Sequence, residues 1–257
     1  PFWLKPFWLK VPYITMANAA MGRLIFVSGT PGAGKTTIGE GLKRENGFVH
    51  FDGDVWSFGL TGFDPVEHSG QQPTQEQMEA EPSGNVKLLY RACFEEYWEK
   101  KVRSESPDLA TAEAFYAAMA AEVLKRRGSE LGDCDVVVTN TVIERRVRDF
   151  LRLQFGPKLE FVHLDVDKGL LASRVLGRLE KQAASEGKSL EEYVIASDHL
   201  FPPHAKTLDE RMEMLTRDRS PPAEAIAPDE QHTVSITVTP DMDASAVLVE
   251  VQRCLGL

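Results

Sequence analysis

The sequence predicts an α/β fold in which a five-stranded parallel sheet is sandwiched by helices. Short β-rich runs alternate with longer helical patterns along the chain, which is typical of a parallel sheet covered by helices. The glycine-rich segment 29–36 directly follows the apolar run 24–27, as a phosphate-binding loop follows the first strand of such a sheet. The 257 residues lie within the range that a single α/β domain can fill.

The predicted elements follow one another in a regular order. Strands are predicted where short β-branched or apolar runs occur, at 24–28, 48–51, 136–139, 160–164 and 234–238. Helices are predicted from the spacing of apolar residues at 36–46, 85–101, 111–127, 143–154, 168–181 and 244–254. The crossover between the second and third strands is much longer than a βαβ unit needs. Its segment 60–84 is rich in proline and glutamine, which predicts either a substrate-covering loop or a disordered one.

The segment after the first strand reads Gly-Thr-Pro-Gly-Ala-Gly-Lys-Thr. Its glycines allow backbone N–H groups to turn toward phosphate oxygens, Lys35 can reach the β and γ phosphates, and the Thr36 hydroxyl can coordinate Mg²⁺. A chance match in a glycine-rich turn is the alternative, but the strand before and the helix after favour a phosphate loop. The residues predicted to bind the nucleotide here are Gly29, Thr30, Pro31, Gly32, Ala33, Gly34, Lys35, Thr36 and Thr37.

A second chemical signal follows the second predicted strand, where the chain reads Asp52-Gly53-Asp54. Two carboxylates beside a phosphate loop suit phosphoryl transfer. One can hold Mg²⁺ directly or through water, and the other can accept a proton from the attacking hydroxyl. The alternative is a tight turn built around a left-handed glycine.

Arginines recur on the helices after the third and fourth predicted strands. Arg174 and Arg178 are spaced i, i+4 and therefore share one helical face. Guanidinium groups clamp phosphates and stabilise charge on a transferred phosphoryl group, whereas the alternative is a solvated or salt-bridged face. The same two interpretations apply to the cluster after the third strand, which consists of Arg145, Arg146, Arg148 and Arg152.

Charge and cysteine content restrict the partners. The 29 basic and 39 acidic residues give a net charge of −10, which disfavours nucleic acid or anionic membranes as partners. We expect a small-molecule substrate and a monomer or homodimer, and the cysteine content favours a cytoplasmic location. The three cysteines have neither metal-ligand spacing nor the pattern of a disulfide framework, and are expected to be reduced core thiols: Cys93, Cys134 and Cys254.

The first ten residues contain the pentapeptide Pro-Phe-Trp-Leu-Lys twice. This repeat resembles the translation of a duplicated spliced-leader sequence, which would make Met16 or Met21 the start. We therefore expect residues 1–21 to be a leader-derived or disordered extension. An aromatic anchor for a membrane or a partner is the alternative.

Taken in order, the motifs resemble the gluconokinases and their relatives, the shikimate kinases and other small-metabolite kinases of the nucleoside-monophosphate-kinase type. The matching segments are 29–36, 52–54, 143–152, 161–164 and 173–178.

The resemblance implies a P-loop kinase fold, Mg²⁺ and ATP as cofactors, and a lid that closes over the nucleotide. It implies that Asp54 engages the acceptor hydroxyl and that Asp52, together with Thr36, lies at the metal. Arg174 would lie beside the nucleotide and Arg178 at the base of the lid, so the catalytic residues would be Lys35, Asp54 and Arg178.

The sequence departs from the family pattern in the regions that select a substrate. Residues 55–59 replace a His-Pro pair after Asp54, and about 20 residues separate Arg178 from His199-Leu200-Phe201. We predict one kinase domain over 22–257, with a helical insertion at about 60–130 and a lid at about 178–215. The aromatic residues Trp56, Phe58 and Phe63 are predicted to line the acceptor pocket or to pack in the core, and one buried helical face is predicted for Tyr90, Phe94, Tyr97 and Trp98.

The predicted function is ATP- and Mg²⁺-dependent phosphorylation of a hydroxyl on a small metabolite, with a gluconate-like sugar acid favoured. One alternative is a nucleoside or nucleotide kinase of the same fold. A further alternative is a P-loop ATPase or switch without an acceptor. The chain has no Asn-Lys-x-Asp guanine motif, and its third predicted strand ends Thr139-Asn140 rather than Asp-Glu, which disfavours the last interpretation.

Overall fold

The computed structural model describes residues 22–71, 73–74, 76–77, 84–103, 105–196, 207–216 and 224–257. Three sequence predictions therefore concern residues outside the described part of the chain. They are the N-terminal extension 1–21, the lid residues His199, Leu200 and Phe201, and the part of the Pro/Gln-rich segment that covers 78–83.

The sheet has five strands, all parallel, in the order β2-β3-β1-β4-β5. The predicted fold class is confirmed, and every predicted strand is present within two residues of its expected bounds. The strands are β1 Leu24–Gly29, β2 Val49–Asp52, β3 Val136–Thr139, β4 Glu160–Val166 and β5 Thr233–Val238.

Helices cover both faces of the sheet. Those predicted from apolar spacing are α1 Lys35–Asn46, α3 Asn85–Cys93, α4 Glu99–Val102, α5 Leu109–Arg126, α6 Arg145–Phe155, α7 Lys168–Ser185 and α10 Ala244–Leu255. A π-helical turn, Phe94–Trp98, joins α3 to α4, and a second, Arg127–Leu131, extends α5.

Three helices in the described part of the chain were not predicted: α2 Gly53–Ser57, α8 Leu190–Ala196 and α9 Leu208–Thr216. Each is too short to show a sustained 3.6-residue pattern. They form because neighbours bury them: Tyr193 and Val194 of α8 are buried, and Tyr193 packs with Leu179 of α7. Arg211 of α9 is also buried, and it donates hydrogen bonds to the carbonyls of Val194 and Ile195 at 2.9 and 2.7 Å.

Successive side chains of β1 point to opposite faces of the sheet, so the core has one layer on each face. Leu24 and Phe26 pack in a cluster with residues of α5 and α6, whereas Ile25 and Val27 pack with α1 and α10. Phe26 lies opposite Val138 of β3 and Phe161 of β4, with 5.3 Å between the two phenyl ring centroids. Because both faces of the sheet are covered, the central strands are continuously apolar rather than alternating.

All carboxyl ends of the parallel strands lie at one edge of the sheet, where open α/β folds bind their ligands. The loop after β1, the Asp52-Gly53-Asp54 segment after β2 and Asn140 after β3 therefore meet there. The described part of the long crossover begins at the same edge, since Asp52 N–H donates to the Pro65 carbonyl at 2.9 Å.

The arginine cluster on α6 has a structural role. Arg148 is buried in a two-pronged ion pair with Glu230, with N–O distances of 2.8 and 2.7 Å. Arg145 pairs with Asp229, also through two hydrogen bonds, and Arg152 lies over the Phe161 ring, 4.9 Å from its centroid. The interpretation of this cluster as phosphate ligands is wrong for these three residues. Arg145 and Arg148 tie α6 to the segment before β5, and Arg152 packs on β4.

The buried Arg148–Glu230 pair yields a stability prediction. Replacing Glu230 by Gln leaves the Arg148 charge buried without its counterion, so the free energy of unfolding should fall by about 3–5 kcal/mol. The control is Arg145→Ala, because it breaks a solvent-exposed pair and should therefore cost much less. Urea unfolding followed by circular dichroism measures both. Equal losses in the two variants would contradict the prediction.

The three cysteines were predicted to be reduced core thiols. Cys93 is buried, Cys254 is partly buried and Cys134 is exposed, and all three are free thiols. The prediction of core thiols is therefore correct for Cys93 and wrong for Cys134.

Within the described ranges, no helix combines the length and apolar character needed to cross a bilayer.

Candidate active site

The phosphate loop connects the end of β1 to the start of α1. Gly34 occupies the position before the helix with φ 96°, and no side chain caps the N-terminus of α1. The first N–H groups of this helix are therefore available to an anion, which the helix dipole also favours. Gly29 is required for space, because a Cβ there would lie 2.8 Å from the Leu164 carbonyl oxygen on β4.

Lys35 is the first residue of α1, and its side chain lies back over the loop. Its ammonium group donates a hydrogen bond of 3.1 Å to the Thr30 carbonyl, and the residue is 6% exposed. Burial lowers the pKa of Lys35, while the carboxylates of Asp54 and Asp52 act in the opposite direction. An anionic phosphate here would provide the counter-charge that this ammonium group needs.

The loop contains three threonines, of which Thr37 is exposed at the cavity described below. Thr36 is half-buried and lines the cavity described below. Thr30 Oγ1 is buried and makes no hydrogen bond to any described residue. A buried hydroxyl without a partner is costly in a folded protein, so this atom fits a loop that closes around a polar ligand.

The donor set fits Mg²⁺ bound mainly through phosphate oxygens. In the described ranges, no three His, Cys, Asp or Glu residues cluster as a metal site. Mg²⁺ in nucleotide sites uses one or two protein groups, substrate phosphates and water. The Thr36 hydroxyl at the start of α1 is such a group, and its role as a ligand remains a prediction.

Asp52 is buried and holds the backbone around it. One carboxylate oxygen accepts hydrogen bonds from the N–H groups of Asp54 and Val55, at 3.0 and 3.4 Å, and so caps α2. The other oxygen accepts from the Gly70 N–H at 3.0 Å. These contacts fix the direction in which α2 leaves the sheet. The metal-ligand role of Asp52 stays a prediction.

Asp54, in the first turn of α2, reaches the cavity. Its Oδ1 accepts a hydrogen bond of 3.1 Å from the buried amide of Asn140, which follows β3. The side chain keeps accessible surface, but that surface faces the cavity, and burial beneath the surrounding walls raises the pKa of its carboxyl. Lys35 and Arg178 oppose this increase. A carboxylate with a raised pKa is a better proton acceptor than an exposed one.

Asn140 was not predicted from the sequence to be a site residue. Its position at the carboxyl end of a central strand was a usable signal, but its contact with Asp54 joins residues 86 positions apart. A second missed group is buried His50, whose ring nitrogens pair with Glu40 and Thr139 at 2.7 and 2.8 Å. This pairing ties α1, β2 and β3 together beneath the site.

Gly53 is needed for close packing rather than for a left-handed turn. A Cβ at this position would lie 2.7 Å from the Thr139 carbonyl oxygen and 2.8 Å from Asn140 Nδ2. The proposed left-handed glycine is wrong, since Gly53 is the first residue of α2 and has no positive φ. The absence of a side chain allows α2 to approach the end of β3 and brings Asp54 to Asn140.

We expect Gly53→Ala to lower the free energy of unfolding by about 1–3 kcal/mol through overpacking, and to reduce turnover because Asp54 is displaced. Gly177→Ala is the control, since a Cβ on this α7 residue meets nothing within 4 Å. It should stabilise the protein by about 0.5–1 kcal/mol. Thermal and urea unfolding measure both changes, and an unaltered stability of Gly53→Ala would show that the backbone relaxes freely.

Both arginines predicted on α7 lie at the cavity. Arg174 Nη1 donates a hydrogen bond of 3.2 Å to the Ala33 carbonyl in the phosphate loop. Arg178 lines the same cavity one helical turn later. The structure thus brings the loop residues 31–37, Asp54, Arg174 and Arg178 to one cavity, which is not lined by Gly29, Thr30 or Asp52. The catalytic and binding roles of these residues remain predictions.

The cavity has a volume of about 780 Å³, within the range of about 300–1,000 Å³ that small-molecule sites occupy. The phosphate loop and α7 form one side, and aromatic residues of α3 and α5 contribute to the other. Phe58 lines it, whereas Trp56 packs in the core and Phe63 stacks on His68 with 4.7 Å between ring centroids.

The predicted buried face of α3 and its π-helical turn is only partly correct. Tyr97 is buried, but Tyr90 and Phe94 are 40% and 45% exposed. The latter two line the cavity. Their helical spacing does place Tyr90 and Phe94 on one face, but that face lines the cavity.

A comparison with protein-family models matches residues 25–194 to a family described as AAA domain. The chain belongs to this AAA-domain family. The matched region of this AAA domain contains the phosphate loop, the Asp52-Gly53-Asp54 segment, Asn140 and both α7 arginines, whereas β5 and α10 follow it. The P-loop assignment made from the sequence is thereby confirmed.

Solved structures similar to this AAA domain include an unliganded sugar kinase from Janibacter sp. HTCC2649, at 18% identity and TM-score 0.48, covering 91% of this chain and 95% of that one. A gluconokinase from Sinorhizobium meliloti 1021 has 18% identity, TM-score 0.40 and the same coverage. A shikimate kinase from Bacteroides thetaiotaomicron has 18% identity and TM-score 0.39, covering 91% and 99%. No curated protein matches the chain.

Proposed function

We propose that this protein transfers a phosphoryl group from Mg·ATP to a hydroxyl group of a small molecule. One observation carries the proposal: the Asp54 carboxylate, oriented by Asn140, and the buried Lys35 ammonium group face the same cavity beside an uncapped phosphate loop. A phosphate loop alone would support nucleotide binding. The additional carboxylate supports activation of an acceptor hydroxyl.

The nucleotide-binding groups are proposed as follows. The N–H groups between Gly29 and Thr37 would hold the phosphates at the N-terminus of α1. Lys35 and Arg178 would neutralise charge on the phosphoryl group in transfer, and Arg174, tied to the loop through the Ala33 carbonyl, would lie beside the nucleotide. Thr36 and Asp52 would hold Mg²⁺, directly or through water. Bound there, the ion would supply positive charge that offsets the negative charge of the phosphates during transfer.

Asp54 would orient the acceptor hydroxyl and take its proton. The acceptor oxygen forms a bond to the γ phosphorus while the bond from that phosphorus to the β–γ bridging oxygen breaks. ADP leaves, and the hydroxyl proton moves to the Asp54 carboxylate. Burial, which raises the pKa of Asp54, makes this transfer more favourable than it would be at an exposed aspartate.

The geometry gives less support to a water-activating ATPase. Beside the phosphate loop, β3 ends in Thr139 and Asn140 instead of an acidic pair. Asp165 on β4 is exposed and is not among the residues that line the cavity. Asp54 is thus the acidic side chain from the carboxyl ends of β2 and β3 that reaches the cavity among the described residues.

We propose residues 22–257 as one kinase domain. The segment 178–215 would be its lid, of which the described part comprises the end of α7, α8 and part of α9. The sequence resemblance favours a gluconate-like sugar acid as acceptor, and a nucleoside or nucleotide is the alternative.

The test is a coupled ADP-release assay of the full chain with Mg·ATP and a panel of sugar acids, shikimate, nucleosides and nucleoside monophosphates. We expect one class of acceptor to raise ADP release well above the rate with ATP alone. Equal ATP hydrolysis with and without every acceptor would favour the ATPase interpretation. A phosphorylated product identified by mass spectrometry distinguishes transfer to the acceptor from stimulated hydrolysis.

A further inference from the structure

Five aromatic residues line the cavity, and we call this surface the aromatic wall. Its members come from the end of α2, from α3 with its π-helical turn, and from α5. They are Phe58, Tyr90, Phe94, Trp98 and Phe115.

The rings of the wall support one another. Tyr90 lies with its ring centroid 6.2 Å from Phe94 and 5.8 Å from Phe115, and Trp56 packs behind Phe115 at 5.5 Å. This packing holds the wall in place, yet Tyr90 and Phe94 remain 40% and 45% exposed. Large aromatic side chains exposed within a concave site mark a surface that binds an apolar or flat group.

The aromatic wall adjoins the proposed catalytic carboxylate. Tyr90 and Asp54 both line the cavity, and the pKa of Tyr90 is raised because the surrounding walls desolvate its hydroxyl and the Asp54 carboxylate adds negative charge. The polar groups nearby on this side are uncharged: Ser57, Asn140 and Thr141 also line the cavity. They can donate hydrogen bonds to hydroxyl or carbonyl oxygens without requiring a charged ligand.

Charge is distributed unequally across the cavity. Among the described residues that line it, the basic ones are Lys35, Arg174 and Arg178, which belong to α1 and α7 beside the phosphate loop. None of these three basic residues lies on α3, on its π-helical turn or on α5. Lys101, beyond the wall, forms an ion pair with Glu144. A carboxylate or phosphate on an acceptor seated against the wall would therefore meet the Asp54 carboxylate and no cation from the wall itself.

We propose that the acceptor is an uncharged hydroxyl compound with a flat or apolar ring, a nucleoside being the test case, and not a carboxylated sugar. The ring would stack on Tyr90 and Phe94 while its hydroxyl hydrogen-bonds to Asp54. Calling this compound a substrate rests on the proposed kinase activity. The recognition itself rests on the wall and can be measured as binding.

The experiment is calorimetric titration of the full chain, saturated with Mg²⁺ and a non-hydrolysable ATP analogue. The titrants are thymidine, uridine and cytidine, each matched with its 5′-monophosphate, and gluconate. Each pair shares its ring and differs in charge. We expect each nucleoside that binds to do so at least about tenfold more tightly than its monophosphate, because the phosphate faces Asp54.

Two variants isolate the aromatic wall. Phe94→Ala should weaken nucleoside binding by about tenfold, which is the usual scale for losing one stacking side chain. Leu88→Ala is the matched control, because Leu88 is also an exposed apolar residue of α3 but does not line the cavity. It should leave binding unchanged. The melting temperatures of both variants show whether they fold.

The outcomes separate the two proposals. Nucleosides that bind through Phe94 but receive no phosphate would support the aromatic wall and overturn the kinase activity. Phosphorylation of gluconate, without nucleoside binding, would support the kinase and overturn this inference. A monophosphate that binds as tightly as its nucleoside, or nucleoside binding that survives in a folded Phe94→Ala variant, would also overturn it.

Discussion

Replacing Lys35 by alanine is expected to lower kcat by about 100- to 1000-fold, the scale for losing a group that stabilises transition-state charge. The ammonium group is buried beside the phosphate loop, with one hydrogen bond to the Thr30 carbonyl. An exposed lysine or arginine could replace this ammonium group only if its side chain moved into the buried position. The measurement is single-turnover phosphoryl transfer from radiolabelled ATP, with the acceptor that the ADP-release panel identifies.

The fold should survive this substitution. Burial lowers the pKa of Lys35, which means that its charged form is destabilised in the folded protein relative to water. Removing the charge therefore relieves a cost, and the melting temperature should not fall. Lys43→Ala on the same helix is the control, because Lys43 is exposed and forms long contacts with Glu40 and Ser69. Full activity in Lys35→Ala would remove this residue from the mechanism.

Asp54→Asn is expected to reduce kcat by about 100- to 10,000-fold, the usual contribution of a general base, with little change in the KM for ATP. The amide occupies the same volume but cannot accept the hydroxyl proton. Because Asp54 contacts Asn140 and is proposed to act on the acceptor hydroxyl, kcat should change far more than the affinity for ATP. Asp133→Asn is the control, since Asp133 is exposed before β3 at the opposite edge of the sheet.

The pH dependence gives a second measurement of Asp54. The carboxylate accepts a proton only when it is ionised, so activity is present above its pKa and falls as pH decreases through it. Since burial raises that pKa above 3.8, the acid limb of kcat/KM should lie at a higher pH than the pKa of an exposed aspartate. Residual activity of Asp54→Asn should lack this limb. An identical acid limb in the variant would assign it to another group.

The phosphate loop could be predicted in full because its chemistry is contiguous. Its residues lie next to one another in sequence, and the strand before them and the helix after them are recognisable from local apolar spacing. The five strands were predictable for a related reason. The central strands β1 and β3 are covered on both faces and contain short apolar runs, whereas the edge strand β5 alternates Val and Ile with Thr and Ser.

Other assignments depended on distant partners. Arg148 and Arg174 both follow strands on helices, and local sequence does not distinguish them. Arg148 is buried against Glu230, 82 residues later, whereas Arg174 lies on the phosphate loop. The same limit applies to Tyr90 and Tyr97, since one faces the cavity and the other is buried.

The sequence alone was sufficient for the fold class, the order of the strands along the chain and the phosphate loop, because these depend on local periodicity and on neighbouring residues. The tertiary structure decided which groups share the cavity. It joined Asp54 to Asn140 through the space left by Gly53, separated the arginine that contacts the phosphate loop from the arginines that form ion pairs on α6, and turned part of an apolar helix face toward the cavity. These outcomes depend on the packing of distant segments, where a few ångströms determine whether a side chain meets a partner, the core or the cavity.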